Sequence, residues 1–235
     1  MNFLFNVYDR YDELEVNIRC LRRTLPNAFV GVYHNGNRDR VIDAEIDQLI
    51  WGENSGHHNG TRDAYNAFTS FVKDDECYAC IHADVWCSDY RLYSMLETGM
   101  RGKRFGFMDP GPTGAMHNPQ HMGYYADMFI IRGDGYKRIF PIEEELDGRE
   151  WIETTLYSRV WGRAVPYEIW EIPNTCERSH HRDKPFVFTN QISREDFILS
   201  GDQDVFERVK SLTGRSSNDP YGDIFEEFLE RRRKK

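Results

Sequence analysis

Apolar runs and apolar stripes alternate from Met1 to about Pro110, and the alternation predicts strand, helix, strand. Phe3 to Tyr8 is a short, mostly apolar run that reads as a buried strand. Leu14, Ile18, Leu21 and Leu25 then fall at helical spacing, and Pro26 stops the helix. Ala28 to Tyr33 predicts a second strand, closed by Asn35-Gly36, and Gln48 to Trp51 a short third one. Ala64, Ala67, Phe68, Phe71 and Val72 form the next helical stripe. Cys77 to His82 is again apolar and strand-like. Ser88 caps a helix with Leu92, Met95, Leu96 and Gly99 on one face, and Asp89 suits its positive end.

The second half is less regular. Asp109 to Gly123, rich in Gly and Pro, predicts a long loop, a kind of segment that often carries function. Asp127 to Arg132 predicts a strand. Ile152, Leu156 and Val160 mark a helix ending near Gly162, and Val165 to Ile172 a strand stopped by Pro173. Val205 to Leu212 and Phe225 to Leu229 predict two terminal helices. The expected fold is α/β, a mainly parallel sheet flanked by helices over residues 1–200, with a helical extension over residues 201–235.

Composition narrows the function. A formal charge of −9 argues against a nucleic-acid partner, and the basic cluster from Arg231 to Lys235 is expected to be a solvated tail. No run approaches the ~20 apolar residues of a membrane span. Met1 to Tyr8 lacks the layout of a signal peptide, and five scattered cysteines fit free thiols, so a cytoplasmic protein is expected. Cys77 and Cys80 invite a zinc site, but in a strand residues three apart point to opposite faces, so they are expected to be packing thiols.

The chemistry concentrates where the fourth strand ends. Ile81-His82-Ala83-Asp84-Val85-Trp86 puts a carboxylate at the C-terminal end of a strand, where ligands bind in parallel sheets. A hard divalent cation takes oxygen ligands from one or two carboxylates and from substrate phosphates.

In the order of its elements and in these motifs the chain resembles the GT-A-fold nucleotide-diphospho-sugar glycosyltransferases, especially the family-two-like inverting enzymes. In that family the strand ends in Asp-x-Asp; here His82 and Asp84 stand at those positions, so the metal-binding Asp is present and the first acid is His. Asn6-Val7-Tyr8-Asp9-Arg10 is similar to the segment beside the base. The stretch from Asn54 to Asn66 is similar to the one before the family's second helix, and the resemblance implies that Arg62 reaches the diphosphate. His34-Asn35-Gly36 replaces the acid that follows the second strand. Arg149-Glu150-Trp151-Ile152-Glu153 resembles the segment with the catalytic carboxylates, and Pro173 to His180-His181 the stretch that supplies a metal-ligating His.

The resemblance implies a transferase that moves a sugar from a UDP- or GDP-linked donor to a hydroxyl of a carbohydrate or other acceptor, with inversion and with Mn²⁺ or Mg²⁺ as cofactor. Val7, Tyr8, Asp9, Arg10, Asn35, Arg62, His82, Ala83 and Asp84 would bind the donor. Trp86, Tyr124, Tyr125, Asp127 and Trp151 would meet the acceptor, and Asp84, His180 and His181 the metal. Glu150, then Glu153, would act as the base. Two alternatives stand beside this: an inactive nucleotide-sugar-binding module, and a sugar nucleotidyltransferase, against which the absence of a Gly-rich basic loop after the first strand counts.

Overall fold

In the computed structural model, β1 (Asn2–Val7) runs between two parallel neighbours, β2 (Val30–His34) and β4 (Cys77–His82), and β3 (Gln48–Trp51) continues the parallel set beyond β2. The structure describes residues 1–83, 86–87, 90, 92–108, 128–146, 152–163, 168–172, 188–189 and 221–234. On the other side of β4 lie β7 (Met128–Arg132), β6 (Phe105–Met108) and β8 (Ile169–Ile172), giving the order β3-β2-β1-β4-β7-β6-β8. Only β7 runs against its neighbours; β6 and β8 are parallel to each other. A small ribbon pairs β5 (Trp86–Cys87) with β9 (Phe188–Thr189).

Helices cover both faces, so the strands must be apolar on both sides. Phe3, Phe5 and Val7 of β1 face one core cluster and Leu4 the other, the period-two alternation of a strand. The first cluster takes α1 (Tyr11–Thr24) through Leu14, Ile18 and Leu21, α3 (Leu92–Gly99) through Leu96, and α6 (Gly222–Arg233) through Ile224. The second takes α2 (His57–Phe68), α4 (Gly133–Ile139) and α5 (Ile152–Arg163) through residues such as Tyr65, Ile139 and Leu156. Each such side chain, fully buried, contributes about 1.5–3 kcal/mol. Helix α6 and the Tyr221 that precedes it belong to the first cluster, so the C-terminal helix is built into the main core.

Several boundaries differ from the sequence expectation. Strand β2 starts at Val30 and takes in His34, and β8 starts at Ile169. Helix α2 ends at Phe68, short of Phe71 and Val72, because the Thr69 and Ser70 hydroxyls donate to the carbonyls of Asn66 and Ala67 at 2.6 and 3.0 Å. Strand β6, helix α4 and the β5–β9 ribbon were not anticipated. The expected loop from Asp109 to Gly123 and the expected helix from Val205 to Leu212 lie outside the described residues. Cys77 packs toward the first cluster and Cys80 lies in the second, on opposite faces of β4. No helix among the described residues is long and apolar enough to cross a membrane.

Candidate functional site

Three parallel strands end side by side, with Val7 opposite His34 and Asn6 opposite His82. The turns that leave them enclose a cleft of about 400 Å³, at the carboxyl edge of the parallel strands. Asn6, Val7, Tyr8, Asp9, Arg10, Asn35, Asn54, His82 and Ala83 line it, together with Gly56, His57 and Thr61 from the start of α2.

The wall from β2 is rigid. The Asn35 N–H donates to the Val7 carbonyl at 3.1 Å, and the Asn37 N–H to the Tyr11 hydroxyl at 2.8 Å. Gly36 between them has no room for a side chain: a Cβ would stand 1.7 Å from the Tyr8 carbonyl oxygen. His34 is fully buried, with Tyr11 at 5.2 Å and Trp51 at 4.3 Å between ring centroids. Its Nδ1 accepts the Gly36 N–H at 3.2 Å, and burial pushes its pKa down, so the ring is neutral and the proton sits on Nε2. Where the resembling family carries an acid, this chain carries a neutral stacked imidazole followed by a carboxamide.

That carboxamide, Asn35, is buried to 8% exposure and lies against Gly60, where a Cβ would come within 2.5 Å of Asn35 Nδ2. Asn6 Nδ2 donates to Thr61 Oγ1 at 3.4 Å, while the buried Asn6 Oδ1 has no hydrogen-bond partner among the described residues. Tyr8 is half exposed, and its hydroxyl accepts from Asn54 Nδ2 at 3.3 Å. The other carboxamide atom of Asn54, Oδ1, accepts the Gly56 N–H at 3.1 Å. Gly56 has φ +85°, a value that favours glycine, and no side chain caps α2. The positive end of that helix is therefore open to the cleft.

Arg10 supplies fixed positive charge. Its Nε stands 3.6 Å from Asp9 Oδ1 and its Nη1 3.7 Å from Glu13 Oε1, too long for hydrogen bonds, and the buried Nη1 makes none among the described residues. Ala83 closes the floor, with its N–H on the Asn6 carbonyl at 3.2 Å.

Among the expected donor residues, Val7, Tyr8, Asp9, Arg10, Asn35, His82 and Ala83 line the cleft. Arg62 does not. Its guanidinium donates to Asp63 at 2.9 and 2.7 Å and to the Glu144 carbonyl at 2.9 Å, so it fastens the chain beyond α4 instead of facing a diphosphate. Trp86 opens β5 and Glu153 is the second residue of α5. Asp84, Tyr124, Tyr125, Asp127, Glu150, Trp151, His180 and His181 lie outside the described residues. Among the described residues no group of three His, Cys, Asp or Glu is placed to hold a metal ion. Asn6, Asn54, Gly56, His57 and Thr61 were not singled out as ligand contacts, although the Asn54-Ser55-Gly56 turn before a helical stripe is a readable signal for a helix start.

No family model matches the chain, and neither does any curated protein. Solved structures do. An active-site mutant of LgtC is 11% identical with a TM-score of 0.57, the match covering 94% of this chain and 99% of that one. A protein designated a nucleotide-diphospho-sugar transferase, from Desulfovibrio desulfuricans, is 9% identical with a TM-score of 0.51, over 99% of both chains. A protein designated a glucose-1-phosphate thymidylyltransferase, from Bacillus anthracis and in complex with sucrose, is 9% identical with a TM-score of 0.53, over 94% of this chain and 98% of that one. Identities this low speak for the fold alone. The strand order with its one reversed strand, the cleft at the carboxyl edge and the end-to-end match agree: the chain has a GT-A-like glycosyltransferase fold.

Proposed function

We propose that the cleft binds a nucleotide-diphosphate sugar, UDP- or GDP-linked, and that the chain transfers the sugar to a hydroxyl of a carbohydrate or other acceptor. The observation that carries this reading is the open N-terminus of α2 facing the same cleft as a loosely paired Arg10. Both favour an anion, and together they suit a diphosphate better than a neutral sugar alone. Tyr8, with its exposed ring, suits the flat face of a base, and the Asn35 and Asn54 carboxamides beside it offer both donors and acceptors.

A divalent cation, Mn²⁺ or Mg²⁺, belongs to the same proposal. Asp84 follows Ala83, a residue of the cleft floor, in the sequence, and a carboxylate oxygen would suit a hard cation. His180 or His181 would complete the set. When bound, such an ion stabilises charge on a leaving diphosphate. The departing diphosphate is held by Arg10 and by the first-turn N–H groups of α2. Glu150, with Glu153 second, takes the proton of the attacking hydroxyl, and attack from the face opposite the nucleotide inverts the sugar. Cys77 and Cys80 form no disulfide among the described residues, which supports a reducing, cytoplasmic setting.

Nucleotidyl transfer is the second reading, and the thymidylyltransferase match supports it. Against it, only Tyr8, Asp9 and Arg10 separate β1 from α1, and none is a glycine. The test is calorimetry with UDP and GDP, with and without Mn²⁺, followed by donor turnover. Metal-enhanced binding and sugar transfer that falls in Glu150→Gln or Glu153→Gln are expected. Binding without turnover would leave a module, pyrophosphate release from a nucleoside triphosphate and a sugar phosphate would favour the second reading, and no binding at all would end the proposal.

A further inference from the structure

One side chain grips both described ends of the segment between β4 and α3. Asn17, in the middle of α1 and 1% exposed, donates from Nδ2 to the Ala83 carbonyl at 3.0 Å. Its Oδ1 accepts from the Tyr90 hydroxyl at 3.2 Å. A carboxamide is planar, so donor and acceptor are fixed relative to each other, and Ala83 and Tyr90 are tied to one rigid group. Asn is a poor helix former, and Val16 and Ile18 beside it fill buried space without polar atoms. What Asn17 adds is the pair of hydrogen bonds.

The grip continues outward to the C-terminal helix. Tyr90, fully buried, donates its backbone N–H to the Tyr221 hydroxyl at 3.0 Å. That hydroxyl also lies 2.6 Å from Thr24 Oγ1 at the end of α1. Helix α6 is held on α1 by Asp223 with Arg23 and by Glu227 with Arg19. Helix α1 and the Tyr221 that leads into α6 thus brace Ala83 and Tyr90, and one of these braced residues, Ala83, lines the cleft.

We infer that Asn17 is a positioning residue: with Tyr221 as its outer anchor, it holds Ala83 and Tyr90 in place, and through Asp84, next to Ala83 in sequence, it sets the metal-assisted part of ligand binding. The ligand half of this inference rests on the proposed nucleotide-sugar reading; the brace itself does not.

The test compares wild type with Tyr90→Phe, Tyr221→Phe and Asn17→Ala. The two phenylalanines remove hydroxyls and keep the rings, so they preserve packing if Asn17→Ala fails to fold. Hydrogen–deuterium exchange across residues 83–90 is expected to speed up about tenfold, the size of one lost buried hydrogen bond, with β2 and β3 unchanged. Calorimetry is expected to show Mn²⁺-supported UDP or GDP affinity falling by a similar factor, with metal-free affinity unchanged. Unchanged exchange overturns the brace. Faster exchange with unchanged affinity, or equal loss with and without Mn²⁺, overturns the positioning role. A wild type that binds neither nucleotide removes the proposed function and this role together, while faster exchange in the variants still upholds the brace.

Discussion

The two ends of the sheet treat buried polarity in opposite ways. At the end remote from the cleft, Asp134 accepts from Arg132 Nε at 2.6 Å and from Arg104 Nε at 2.7 Å, and Glu168 pairs with Arg104 and with Arg138. Burial alone would raise the Asp134 carboxyl; the two guanidinium groups overcome it and bring the pKa down to about 2. At the cleft, Arg10 stands 3.6 and 3.7 Å from Asp9 and Glu13, and Asn6 Oδ1 is buried without a hydrogen bond from any described residue. Polar groups that satisfy one another hold a fold together. Polar groups that are fixed in place yet left short of partners are arranged for something else, and at the carboxyl edge of a parallel sheet that is a ligand.

The largest effect expected is at the rigid turn of the cleft. Gly36→Ala would place a Cβ 1.7 Å from the Tyr8 carbonyl oxygen and 2.2 Å from the Tyr11 hydroxyl. Backbone on one side and a buried ring on the other leave no simple escape, so urea unfolding should show a loss of about 3 kcal/mol. A loss below about 1 kcal/mol would mean that the turn yields, and the cleft wall would not be rigid.

Next is the saturated end. Asp134→Asn should cost about 2 kcal/mol at neutral pH and leave nucleotide affinity untouched. The sign follows from a folded pKa near 2 against an ordinary 3.8: the carboxylate's contribution is whole above about pH 4 and fades as pH falls through 2. Stability of the wild type should drop over that window, and the variant should lack this part of the drop. Equal acid profiles would show that Asp134 does not hold the two arginines.

Arg10→Gln reverses the pattern. Removing a charge-assisted contact to a phosphate should weaken UDP or GDP binding by about tenfold or more, while unfolding free energy changes by less than about 0.5 kcal/mol. A stability loss as large as that of Asp134→Asn would place Arg10 with the structural ion pairs and erase the contrast.

How much of this was readable differs by region for physical reasons. The strands β1, β2 and β4 are buried on both faces, so Phe3 to Val7 and Cys77 to His82 appear as nearly continuous apolar runs, broken only by Asn6 and His82, both of which line the cleft. Helix α4 was hidden because it contains Gly133 and Gly135, which oppose a helix locally. Gly133 is required by packing: a Cβ there would lie 1.8 Å from the Lys73 carbonyl oxygen. Strand β6 is four residues with a glycine inside, too short to show a period. At the site, the strand-end residues Tyr8, Asp9, Arg10, Asn35 and His82 were visible because strand ends are local features. Arg62 lies outside the cleft lining, and its partners there, Asp63 and the Glu144 carbonyl, are a choice made in three dimensions. Asn6 and Thr61 are 55 positions apart, and nothing in either neighbourhood announces that they meet.

Gly60→Ala separates the two kinds of order most finely. Inside a helix this substitution ordinarily stabilises by about 0.5–1 kcal/mol. Here the new Cβ would meet one atom closely, Asn35 Nδ2 at 2.5 Å, with the next neighbours at 3.8 and 3.9 Å. Unlike the backbone that faces Gly36, a carboxamide tip can swing aside, so the fold should keep its stability or gain slightly. The displaced tip is the one that lines the cleft, so UDP or GDP affinity should fall severalfold in calorimetry. The same glycine-to-alanine change would then cost folding at residue 36 and binding at residue 60. Undiminished affinity with raised stability would show that Asn35 closes the wall without touching the ligand, and base recognition would pass to Tyr8 and Asn54.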